Sequence, residues 1–305
     1  MRRVCIFCES WESGGIESFL HNLLLHMDRR SMEIDIVAAE LGESVFTEEL
    51  RTAGVRFIAL SGRQRRIFRN HRLFRALLAR RRYDVVHLNI FQGLSLYYGR
   101  LARKAGVPVR IAHSHNTALR KSFLRPVKLA LHRFGVRRFA SDASDLWACS
   151  GPAAAFMFPA DELSSRGYTF IPNGIDTASF RFDAAAREQT RQELGLEGKF
   201  VVGSVGRLCY QKNQTFLLDV MAALLAQRPD SVLLLVGEGE DRPALEEQAR
   251  CLDIEDRVIF LGTTDRVERL YGAMDAFAFP SRFEGLGIAA VEAQASGLPT
   301  LCSEQ

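Results

Sequence analysis

The sequence has 305 residues, of which 47% are hydrophobic and 25% are charged, and its formal net charge is +4. This composition is typical of a globular protein and excludes a disordered chain. No apolar stretch reaches the roughly 20 residues that cross a bilayer. The N-terminus has no long apolar region and six cysteines are scattered along the chain. We therefore expect a cytoplasmic protein with neither a signal peptide nor a disulfide framework.

The charge is distributed unevenly along the chain, and the length predicts two domains. Residues 1–172 hold 27 Lys and Arg against 15 Asp and Glu, a net +12, whereas residues 173–305 hold 13 against 21, a net −8. Such a difference between the halves indicates two domains with different binding partners. We place the boundary after Pro172, where an apolar run ends in the turn residues Asn173 and Gly174.

Short apolar strands alternate with amphipathic helices in both halves. The runs are rich in Val, Ile and Leu without strict alternation, so we expect strands that are buried on both faces. The predicted strands are residues 3–8, 34–38, 55–60, 85–88, 110–113, 146–149, 200–205, 232–236, 258–261, 276–279 and 300–302. Helical spacing of apolar residues predicts helices near residues 16–27, 73–78, 214–226, 241–251, 266–273 and 288–296.

This alternation predicts parallel sheets with helices on both faces. The expected fold class is α/β, with two Rossmann-like, doubly wound domains that face each other across a cleft. A ligand would bind between them, at the carboxyl ends of the strands. Gln305 follows the start of the last strand with no helix to cover it, so we expect a truncated chain or a fold completed by another element.

The first candidate binding loop, Ser13-Gly14-Gly15-Ile16-Glu17, directly follows the first strand. Its glycines let the backbone approach a ligand, and the helix that follows presents free N–H groups and a positive dipole end. The pattern suits an anion such as a phosphate, although an ordinary strand-to-helix turn has the same composition. The dinucleotide fingerprint G-x-G-x-x-G is absent here.

Two cations, Arg207 and Lys212, lie between the strand at 200–205 and the helix at 214–226. Arginine offers a rigid fork for phosphate, lysine adds a movable point charge, and the helix N-terminus contributes to the same positive field. We interpret this segment as a diphosphate clamp, with a solvated basic turn as the alternative.

A glycine-rich loop with carboxylates follows the strand at 276–279. Gly285 and Gly287 keep the loop slim and expose backbone N–H groups at the start of a helix. Glu284 lies in the loop, and Glu292 follows eight residues later. Because carboxylates accept hydrogen bonds from hydroxyl groups, the arrangement suits a polyhydroxylated ligand.

Two histidines, His113 and His115, lie at the end of the strand at 110–113 and point the same way. No third metal ligand is evident, and the lone pair Cys5 and Cys8 lacks the second pair of a zinc site, so we predict no metal. Both cysteines are interpreted as strand residues. A histidine that donates a hydrogen bond to a ligand in the cleft is the better interpretation of the pair, with a satisfied histidine of no role as the alternative.

Two basic amphipathic stretches lie in the first half, from Arg63 to Arg82 and from Arg120 to Arg138. Cations mixed with apolar residues suit an anionic membrane surface. Nucleic acid is the rival partner, but the sequence has no recognised binding motif for it, and a solvated face is the remaining alternative. We therefore expect peripheral association with the inner membrane face and no nucleic-acid partner.

In combination, these motifs resemble the retaining GT-B glycosyltransferases of family four, nearest to bacterial exopolysaccharide and capsule glycosyltransferases. The resemblance covers the whole chain, and its last motif is similar to the family's two glutamates separated by seven residues. The motifs that carry it are Gly14-Gly15-Ile16-Glu17, Ala112-His113-Ser114-His115-Asn116, Ile171-Pro172-Asn173-Gly174-Ile175-Asp176, Gly206-Arg207-Leu208, Gln211-Lys212-Asn213, Gly237-Glu238-Gly239 and the segment from Pro280 to Glu292.

The resemblance implies roles for the matching residues. Arg207 and Lys212 would bind the diphosphate of a nucleotide-sugar donor, and Glu292 would hold the ribose hydroxyls. Glu284, with the backbone of residues 285–288, would hold the sugar and the distal phosphate. The full set of implied donor-binding residues is Gly15, Asn173, Arg207, Lys212, Glu284, Gly285, Leu286, Gly287, Ile288 and Glu292.

The resemblance also implies a reaction. His115 would reach the transferred sugar, with Glu284 as the second catalytic residue, although His113 is a rival for the position. Negative charge that develops on the leaving diphosphate would be stabilised by fixed cations, so neither a metal nor another cofactor is expected. The family retains anomeric configuration by front-face attack, in which the leaving phosphate helps to deprotonate the acceptor, so no nucleophile is assigned.

The expected activity is transfer of a sugar, from a UDP-linked donor, to a glycan or lipid-linked acceptor in cell-surface polysaccharide synthesis. Residues 1–172 would form the acceptor domain and residues 173–305 an incomplete donor domain, because family members usually continue for several more elements. Two alternatives stay open. One is a nucleotide-sugar epimerase of the same fold, with His113 or His115 as acid or base; the other is an inactive nucleotide-sugar-binding fragment.

Overall fold

The computed structural model describes residues 1–12, 14–119 and 124–303. The chain divides into two compact units, Met1–Gly174 and Ile175–Gln305, each built around one sheet. Each unit is an α/β, Rossmann-like domain, which confirms the fold class predicted from the alternation of strands and helices. Within the described ranges, no helix has the length and apolar character needed to span a membrane.

The first unit contains a seven-stranded sheet whose strand pairs are parallel. Its strands are β1 (Arg2–Trp11), β2 (Met32–Leu41), β3 (Arg56–Ala59), β4 (Val85–Ile90), β5 (Val109–Ser114), β6 (Asp145–Ala148) and β7 (Thr169–Phe170). Its helices are α1 (Gly15–His26), α2 (Thr47–Thr52), α3 (Ile67–Arg81), α4 (Tyr97–Lys104), α5 (Arg125–Phe139), α6 (Gly151–Met157) and α7 (Ala160–Arg166). The strand order across the sheet is β3-β2-β1-β4-β5-β6-β7.

The interior strand β1 of this sheet is buried on both faces. From Cys5 to Cys8, no residue of β1 exposes more than 3% of its surface, because the strand is covered on both sides. Both cysteines are free thiols within β1, which confirms their interpretation as strand residues.

A buried carboxylate pairs with part of the positive charge of the first unit. Asp35 in β2 has no exposed surface, and the guanidinium groups of Arg56 and Arg81 lie 2.8 and 3.1 Å from its oxygens. Tyr83 donates a further hydrogen bond to the same carboxylate. A buried charge needs such partners to offset its desolvation. Arg81, near the end of the basic stretch from Arg63 to Arg82, is therefore paired within the unit.

The second unit contains a five-stranded sheet that is also parallel. Its elements are α8 (Ala184–Glu193), β8 (Phe200–Val205), α9 (Gln214–Gln227), β9 (Ser231–Val236), α10 (Arg242–Cys251), β10 (Val258–Gly262), α11 (Val267–Ala273), β11 (Ala276–Phe279), α12 (Ile288–Ala295) and β12 (Thr300–Cys302). The strand order is β10-β9-β8-β11-β12. In β9, Leu233 and Leu235 pack into one hydrophobic cluster and Leu234 and Val236 into another, so alternate side chains fill the two faces.

Every predicted strand is present, and each predicted bound lies within three residues of the observed one. The apolar run that ends before Asn173 forms the edge strand β7. The helices α2, α4, α5, α6, α7 and α8 have no counterpart among the predicted helices, although α5 lies within the basic amphipathic stretch from Arg120 to Arg138. The shortest of these, α2, α6 and α7, have no signal in the sequence pattern. Six or seven residues carry too little apolar periodicity to distinguish them from a loop.

The strand order of each sheet reverses once, and in doubly wound folds this point is a crevice where ligands bind. The reversal falls between β1 and β4 in the first sheet and between β8 and β11 in the second. The glycine pair follows β1 directly. The loops at 206–213 and 280–287 follow β8 and β11, so the predicted binding segments lie at the two crevices.

Candidate functional site

The loop after β8 packs backbone to backbone against the loop after β9. Gly206 and Gly237 have φ angles of +146° and +133°, which residues with a side chain rarely adopt. A Cβ atom on Gly237 would lie 2.2 Å from the carbonyl oxygen of Gly206, and one on Gly206 would lie 3.1 Å from Cε of Lys212. The two glycines therefore determine the path of the loop that carries Lys212.

Lys212 and Glu284 form an ion pair between the loops after β8 and β11. Lys212 Nζ lies 2.7 Å from Glu284 Oε1, and the two side chains expose 20% and 13% of their surface. The ammonium also lies 4.7 Å from the ring centroid of Phe279, a cation–π contact. The structure thus brings together two of the predicted site residues. An anionic ligand at this point would share Lys212 with Glu284.

Hydrogen bonds on both sides of the ion pair hold these two loops together. The carbonyl oxygen of Gln211 accepts from the Arg282 N–H at 2.7 Å, and Gln211 Nε2 donates to the carbonyl oxygen of Phe283 at 2.9 Å. Asn213 Nδ2 donates to the carbonyl oxygen of Pro280 at 3.1 Å. The sequence marks Gln211 and Asn213 only as members of a motif, and their role as bridges between the loops depends on the tertiary fold.

The loop after β11 enters α12 through Gly287. A Cβ atom there would lie 2.5 Å from a ring carbon of Phe279, so the ring packs against this backbone only because the residue is glycine. Gly285 and Leu286 are half-buried in the loop, and Ile288 begins the helix and is buried. No described side chain caps the first turn of α12, so its N–H groups are suited to a phosphate or hydroxyl group.

Glu292 is buried inside the second unit with Tyr271. The carboxylate is 8% exposed, and Tyr271 donates a hydrogen bond of 2.7 Å to its Oε2. Burial raises the pKa of Glu292, and the hydrogen bond from Tyr271 and the charge of Lys212 oppose that rise. Lys212 is thus close enough to act on Glu292 as well as on Glu284. Sequence reasoning missed Tyr271, because a tyrosine on an amphipathic helix resembles an ordinary core residue.

Arg207 differs from Lys212 in its exposure. It lies in the same loop, but its side chain is exposed, whereas that of Lys212 is mostly buried. The carbonyl oxygen of Arg207 accepts a hydrogen bond of 3.0 Å from Nε2 of the buried Gln214, which anchors the loop to α9. The two predicted cations therefore belong to one loop, one at its solvent side and one in its interior.

In the first unit, α1 begins at Gly15, beyond the carboxyl end of β1. Gly14 occupies the N-cap and offers no side chain to the first turn, and a Cβ on Gly15 would meet nothing within 4 Å. Within the described residues no side chain caps the first turn of this helix of 12 residues, so its N–H groups suit an anion, and the role of Gly15 stays a prediction. Ser13, the first residue of the predicted loop, lies outside the described residues.

Three histidines form a cluster, His87 on β4, His113 on β5 and His115 directly after β5. His87 Nε2 lies 3.1 Å from His113 Nδ1, and the rings of His113 and His115 have centroids 3.9 Å apart. Burial lowers the pKa of His87 to about 4 and that of His115 to about 3, and burial and the two other imidazoles lower the pKa of His113. All three rings are therefore neutral near pH 7, and they act through hydrogen bonds and not through charge.

The two rival histidines, His113 and His115, differ in whether their Nε2 atoms have a hydrogen-bond partner in the protein. Among the described residues, His113 Nε2 and Asn89 Nδ2 are buried without a hydrogen-bond partner. His115 is half-buried, and its Nε2 lies 2.9 Å from Asn89 Oδ1. A ligand hydroxyl would satisfy the unpaired atoms. Sequence reasoning missed His87 and Asn89, which occupy β4 as single polar residues in an apolar run.

Glu9, another residue that sequence reasoning missed, ties β1 to the loop after β4. Its carboxylate accepts hydrogen bonds from Ser95 Oγ at 2.6 Å, the Phe91 N–H at 3.2 Å and Gln92 Nε2 at 3.4 Å. Burial raises the pKa of Glu9, and these hydrogen bonds oppose that rise. The carboxylate thus fixes the loop after β4 at the point where the strand order reverses.

Two further predictions concern Asn173 and a metal. Asn173 is 8% exposed near the end of the first unit, and its Oδ1 has no hydrogen-bond partner among the residues that the structure describes. In the ranges that the structure describes, no group of three or more His, Cys, Asp or Glu side chains is arranged to hold a metal ion. Independence from metal stays a prediction.

Two family models match the chain. The model for Glycosyltransferase Family 4 matches residues 13–179, more than half of the chain, and the model for Glycosyl transferases group 1 matches residues 186–305. The chain belongs to glycosyltransferase family 4. The resemblance found in the sequence motifs is therefore confirmed at the level of the family.

Two relatives of this chain are named as enzymes that transfer sugars. EpsF of Bacillus subtilis, named as a glycosyltransferase, is 31% identical over 99% of this chain and 79% of its own length. The UDP-Gal:alpha-D-GlcNAc-diphosphoundecaprenol alpha-1,3-galactosyltransferase of Escherichia coli is 29% identical over 74% of this chain and 59% of its own length.

Solved structures establish the fold of this glycosyltransferase. HepE of Anabaena, crystallised with UDP and glucose, has a TM-score of 0.77 and 23% identity over 99% of this chain and 80% of HepE. WaaG, a glycosyltransferase of lipopolysaccharide biosynthesis, has a TM-score of 0.73 and 18% identity over 98% of this chain and 80% of WaaG. The two parallel-sheet units are those of a GT-B protein.

Proposed function

We propose that this glycosyltransferase transfers a sugar from a UDP-sugar to a glycan or lipid-linked acceptor, with retention of anomeric configuration, in the synthesis of an exopolysaccharide, capsule or related cell-surface polysaccharide. The observation that best supports a nucleotide-sugar donor is the Lys212–Glu284 ion pair, which lies between the loops after β8 and β11. A nucleotide sugar offers a partner to each member of the pair: phosphate oxygens to the ammonium and sugar hydroxyls to the carboxylate.

Lys212 and Arg207 are the residues that we assign to the donor diphosphate. As the bond between sugar and phosphate breaks, negative charge grows on the leaving diphosphate, and a cation that is already in place stabilises it without reorganisation. Lys212 fits this role because Glu284 and the Phe279 ring hold its ammonium. Arg207 adds a guanidinium fork at the solvent side of the same loop. These cations supply the charge for which other transferases use a metal, so we propose no cofactor.

The carboxylates are assigned to hydroxyl groups of the donor. Glu292 would accept hydrogen bonds from the ribose through Oε1, because Tyr271 already donates to Oε2. Glu284, with the backbone of residues 285–288, would hold the sugar and the distal phosphate. A buried carboxylate fits this task because its hydrogen bonds to hydroxyl groups are not weakened by competing water.

The first unit is assigned to the acceptor and the transferred sugar. The start of α1 at Gly15 would border the phosphate and the acceptor, and the neutral His115 would contact the transferred sugar, with His113 as its rival. Retention would follow from front-face attack, in which an oxygen of the leaving phosphate takes the acceptor proton. This route needs no enzyme nucleophile, and we assign none.

Names of relatives support a nucleotide sugar and a lipid-linked acceptor. The Escherichia coli relative is named for a UDP-galactose donor and a diphosphoundecaprenol acceptor. A relative from Mycolicibacterium smegmatis, 27% identical over 94% of this chain, is named for a GDP-mannose donor and a phosphatidylinositol mannoside acceptor. Both acceptors are lipids, which supports the proposed activity at the inner membrane face. The two names differ in the nucleotide of the donor, which is UDP in one and GDP in the other.

A thermal-shift screen of the full chain against UDP- and GDP-sugars tests the donor assignment. A ligand at about 100 times its Kd stabilises the folded state by about 2.7 kcal/mol, so the true donor should raise Tm and the others should not. Stabilisation by GDP-sugars alone would overturn the UDP assignment. The product formed with that donor and a lipid-linked acceptor is then examined by NMR for its anomeric configuration. Conversion of the donor sugar without any acceptor would instead identify an epimerase.

A further inference from the structure

The outer face of α5 carries an exposed apolar stripe. Val127, Leu131 and Phe134 expose 57%, 46% and 56% of their surface, and Leu124, directly before the helix, exposes 57%. On a helix with 3.6 residues per turn, the first three lie within about 60° of one another. Single exposed apolar residues are ordinary, but neighbours along one side of a helix form a continuous patch that marks an interaction surface.

Cations flank the stripe, and residues 124–139 contain no Asp or Glu. The exposed cations of α5 are Arg125, Lys128, Arg133, Arg137 and Arg138. An anionic bilayer complements both features at once, because apolar side chains enter the boundary of the acyl chains while cations stay at the acidic headgroups. By contrast, α9 exposes Phe216 and Val220 by 54% and 41% but has no Lys or Arg.

The inner face of α5 is locked against the loop after β4. A Cβ atom on Gly135 would lie 2.4 Å from the carbonyl carbon of Gly93, so the two backbones are in direct contact. His132 of α5 adds two hydrogen bonds. Its Nδ1 accepts from the Gly93 N–H at 2.9 Å, and its Nε2 donates to the carbonyl oxygen of Phe156 at 2.9 Å. Contact at this distance leaves the helix no room to slide over the loop.

The loop that α5 grips is the one that Glu9 holds at the strand-order reversal. The Phe91 N–H and Ser95 Oγ both donate to Glu9, and Gly93 lies between them. A continuous series of direct contacts therefore runs from the apolar stripe, through His132 and Gly135, to the crevice between β1 and β4. The stripe and the crevice belong to one rigid part of the first unit.

We infer that α5 docks this protein on an anionic lipid bilayer, with Leu124, Val127, Leu131 and Phe134 in the interfacial layer, and that its inner face holds the acceptor-side crevice at a fixed position relative to the lipid headgroups. The biological role of this docking rests on the proposed function, because a lipid-linked acceptor must reach the crevice from the membrane. The surface itself is defined by exposure and charge alone.

Co-sedimentation of the full chain with vesicles tests the inference. Vesicles of equimolar phosphatidylglycerol and phosphatidylcholine should bind the protein, and vesicles of phosphatidylcholine alone should not. The double variant Leu131→Gln/Phe134→Gln should lower binding by about tenfold or more, because two interfacial apolar side chains are lost. The matched control Phe216→Gln/Val220→Gln removes two exposed apolar residues from α9 and should leave vesicle binding unchanged. Unaltered Tm values show that both double variants fold.

A second variant separates charge from apolar contact. Arg133→Gln/Arg137→Gln keeps the stripe and removes two cations, and it should weaken binding by about fivefold per cation at low salt. Equal loss of binding in the α9 control, equal binding to neutral vesicles, or unchanged binding of the Leu131→Gln/Phe134→Gln variant would overturn the inference. A second result would also overturn it: the wild type forms a dimer in gel filtration and binds no vesicles, and Leu131→Gln/Phe134→Gln abolishes the dimer. The stripe would then join two copies of the chain.

Failure of the docking inference and failure of the proposed function give different results. A protein that binds a nucleotide sugar but no anionic vesicle contradicts the docking role only. A protein that binds vesicles through α5 but is stabilised by no nucleotide sugar contradicts the proposed function only. Turnover with a water-soluble acceptor should be the same in the wild type and the Leu131→Gln/Phe134→Gln variant, because the stripe lies outside the reacting groups.

Discussion

The crevices of the two units are built from opposite kinds of side chains. At β8 and β11, the ion pair of Lys212 and Glu284 retains 20% and 13% of its side-chain surface, so its charges are within reach of a ligand. At β4 and β5, His87 and His113 are buried and their pKa values are lowered, so both rings are neutral. One crevice offers charged groups to a ligand, and the other is built from neutral hydrogen-bonding groups.

Net charge would predict the reverse assignment. The second half of the chain has a net charge of −8 and yet places Lys212 in its crevice, whereas the first half, at +12, places neutral imidazoles in its own. Net charge describes the long-range field of a surface, while a crevice is defined by the few groups that the fold brings to it. In the proposed reaction, Lys212 would stabilise the negative charge that develops on the leaving diphosphate, and neutral imidazoles would add no positive charge to oppose the one that develops on the sugar.

The largest effect is expected when the cation of the charged crevice is removed. Lys212→Ala should lower kcat/KM for donor turnover by about a hundredfold to a thousandfold, because it removes a preorganised cation and leaves Glu284 without it. Steady-state kinetics with the donor identified by the thermal-shift screen measure this loss. Lys199→Ala, which removes a lysine from the turn before β8, is the matched control. Turnover within twofold of wild type in Lys212→Ala would contradict the donor assignment.

The neutral crevice should show itself in the pH dependence of stability. The folded-state pKa of His87 is lowered to about 4, so as pH falls below about 6.5 the unfolded chain binds a proton before the folded chain does. The stability that neutral His87 contributes is therefore present above pH 6.5 and is lost as pH falls towards 4. It amounts to roughly 3 kcal/mol.

Urea unfolding at a series of pH values measures this dependence. His87→Phe should lessen the fall in unfolding free energy between pH about 6.5 and about 4 without abolishing it, because His113 and His115 keep their lowered pKa values. His26→Gln removes an exposed histidine of α1 and serves as the control. An identical slope in His87→Phe and the wild type would show that His87 does not carry the effect.

A smaller effect is expected at the buried carboxylate of the charged crevice. Glu292→Gln should raise the Kd of the nucleotide by about tenfold to a hundredfold, because hydrogen bonds to a charged acceptor contribute about 1.5–3 kcal/mol. Tyr271→Phe keeps the carboxylate and removes only its phenol partner, so it should raise the Kd less. Calorimetric titration of both variants ranks them, and a larger loss in Tyr271→Phe would contradict the ribose assignment.

The smallest expected effect distinguishes the two rival histidines. His115→Ala should lower kcat by about fivefold to tenfold, the loss of one hydrogen bond between neutral groups, with the Kd of the nucleotide unchanged. Single-turnover kinetics of His115→Ala and His113→Ala compare them directly. A loss confined to His113→Ala would transfer the role to His113, whose Nε2 has no partner in the described part of the chain.

The sequence predicted the architecture because the architecture depends on local patterns. Apolar runs without alternation require strands that are covered on both faces, and β8, β11 and β12 have the predicted bounds. It also marked Lys212, Glu284 and Glu292, because each follows a strand within a glycine-bearing segment. It could not predict Tyr271, His87 or Glu9, since one polar residue in an apolar element carries no local signal, and its partner is distant in sequence.

The sequence alone determined the α/β class, the order of the strands along the chain, and the residue types offered to each crevice. Glycines at loop positions and cations before a helix are required by backbone geometry and charge, which act over a few residues. Only the tertiary structure decided that Lys212 pairs with Glu284 over 72 positions, that Asp35 takes Arg81 out of the basic surface, and that α5 is locked through Gly135. These pairings depend on which distant segments the close-packed core brings together.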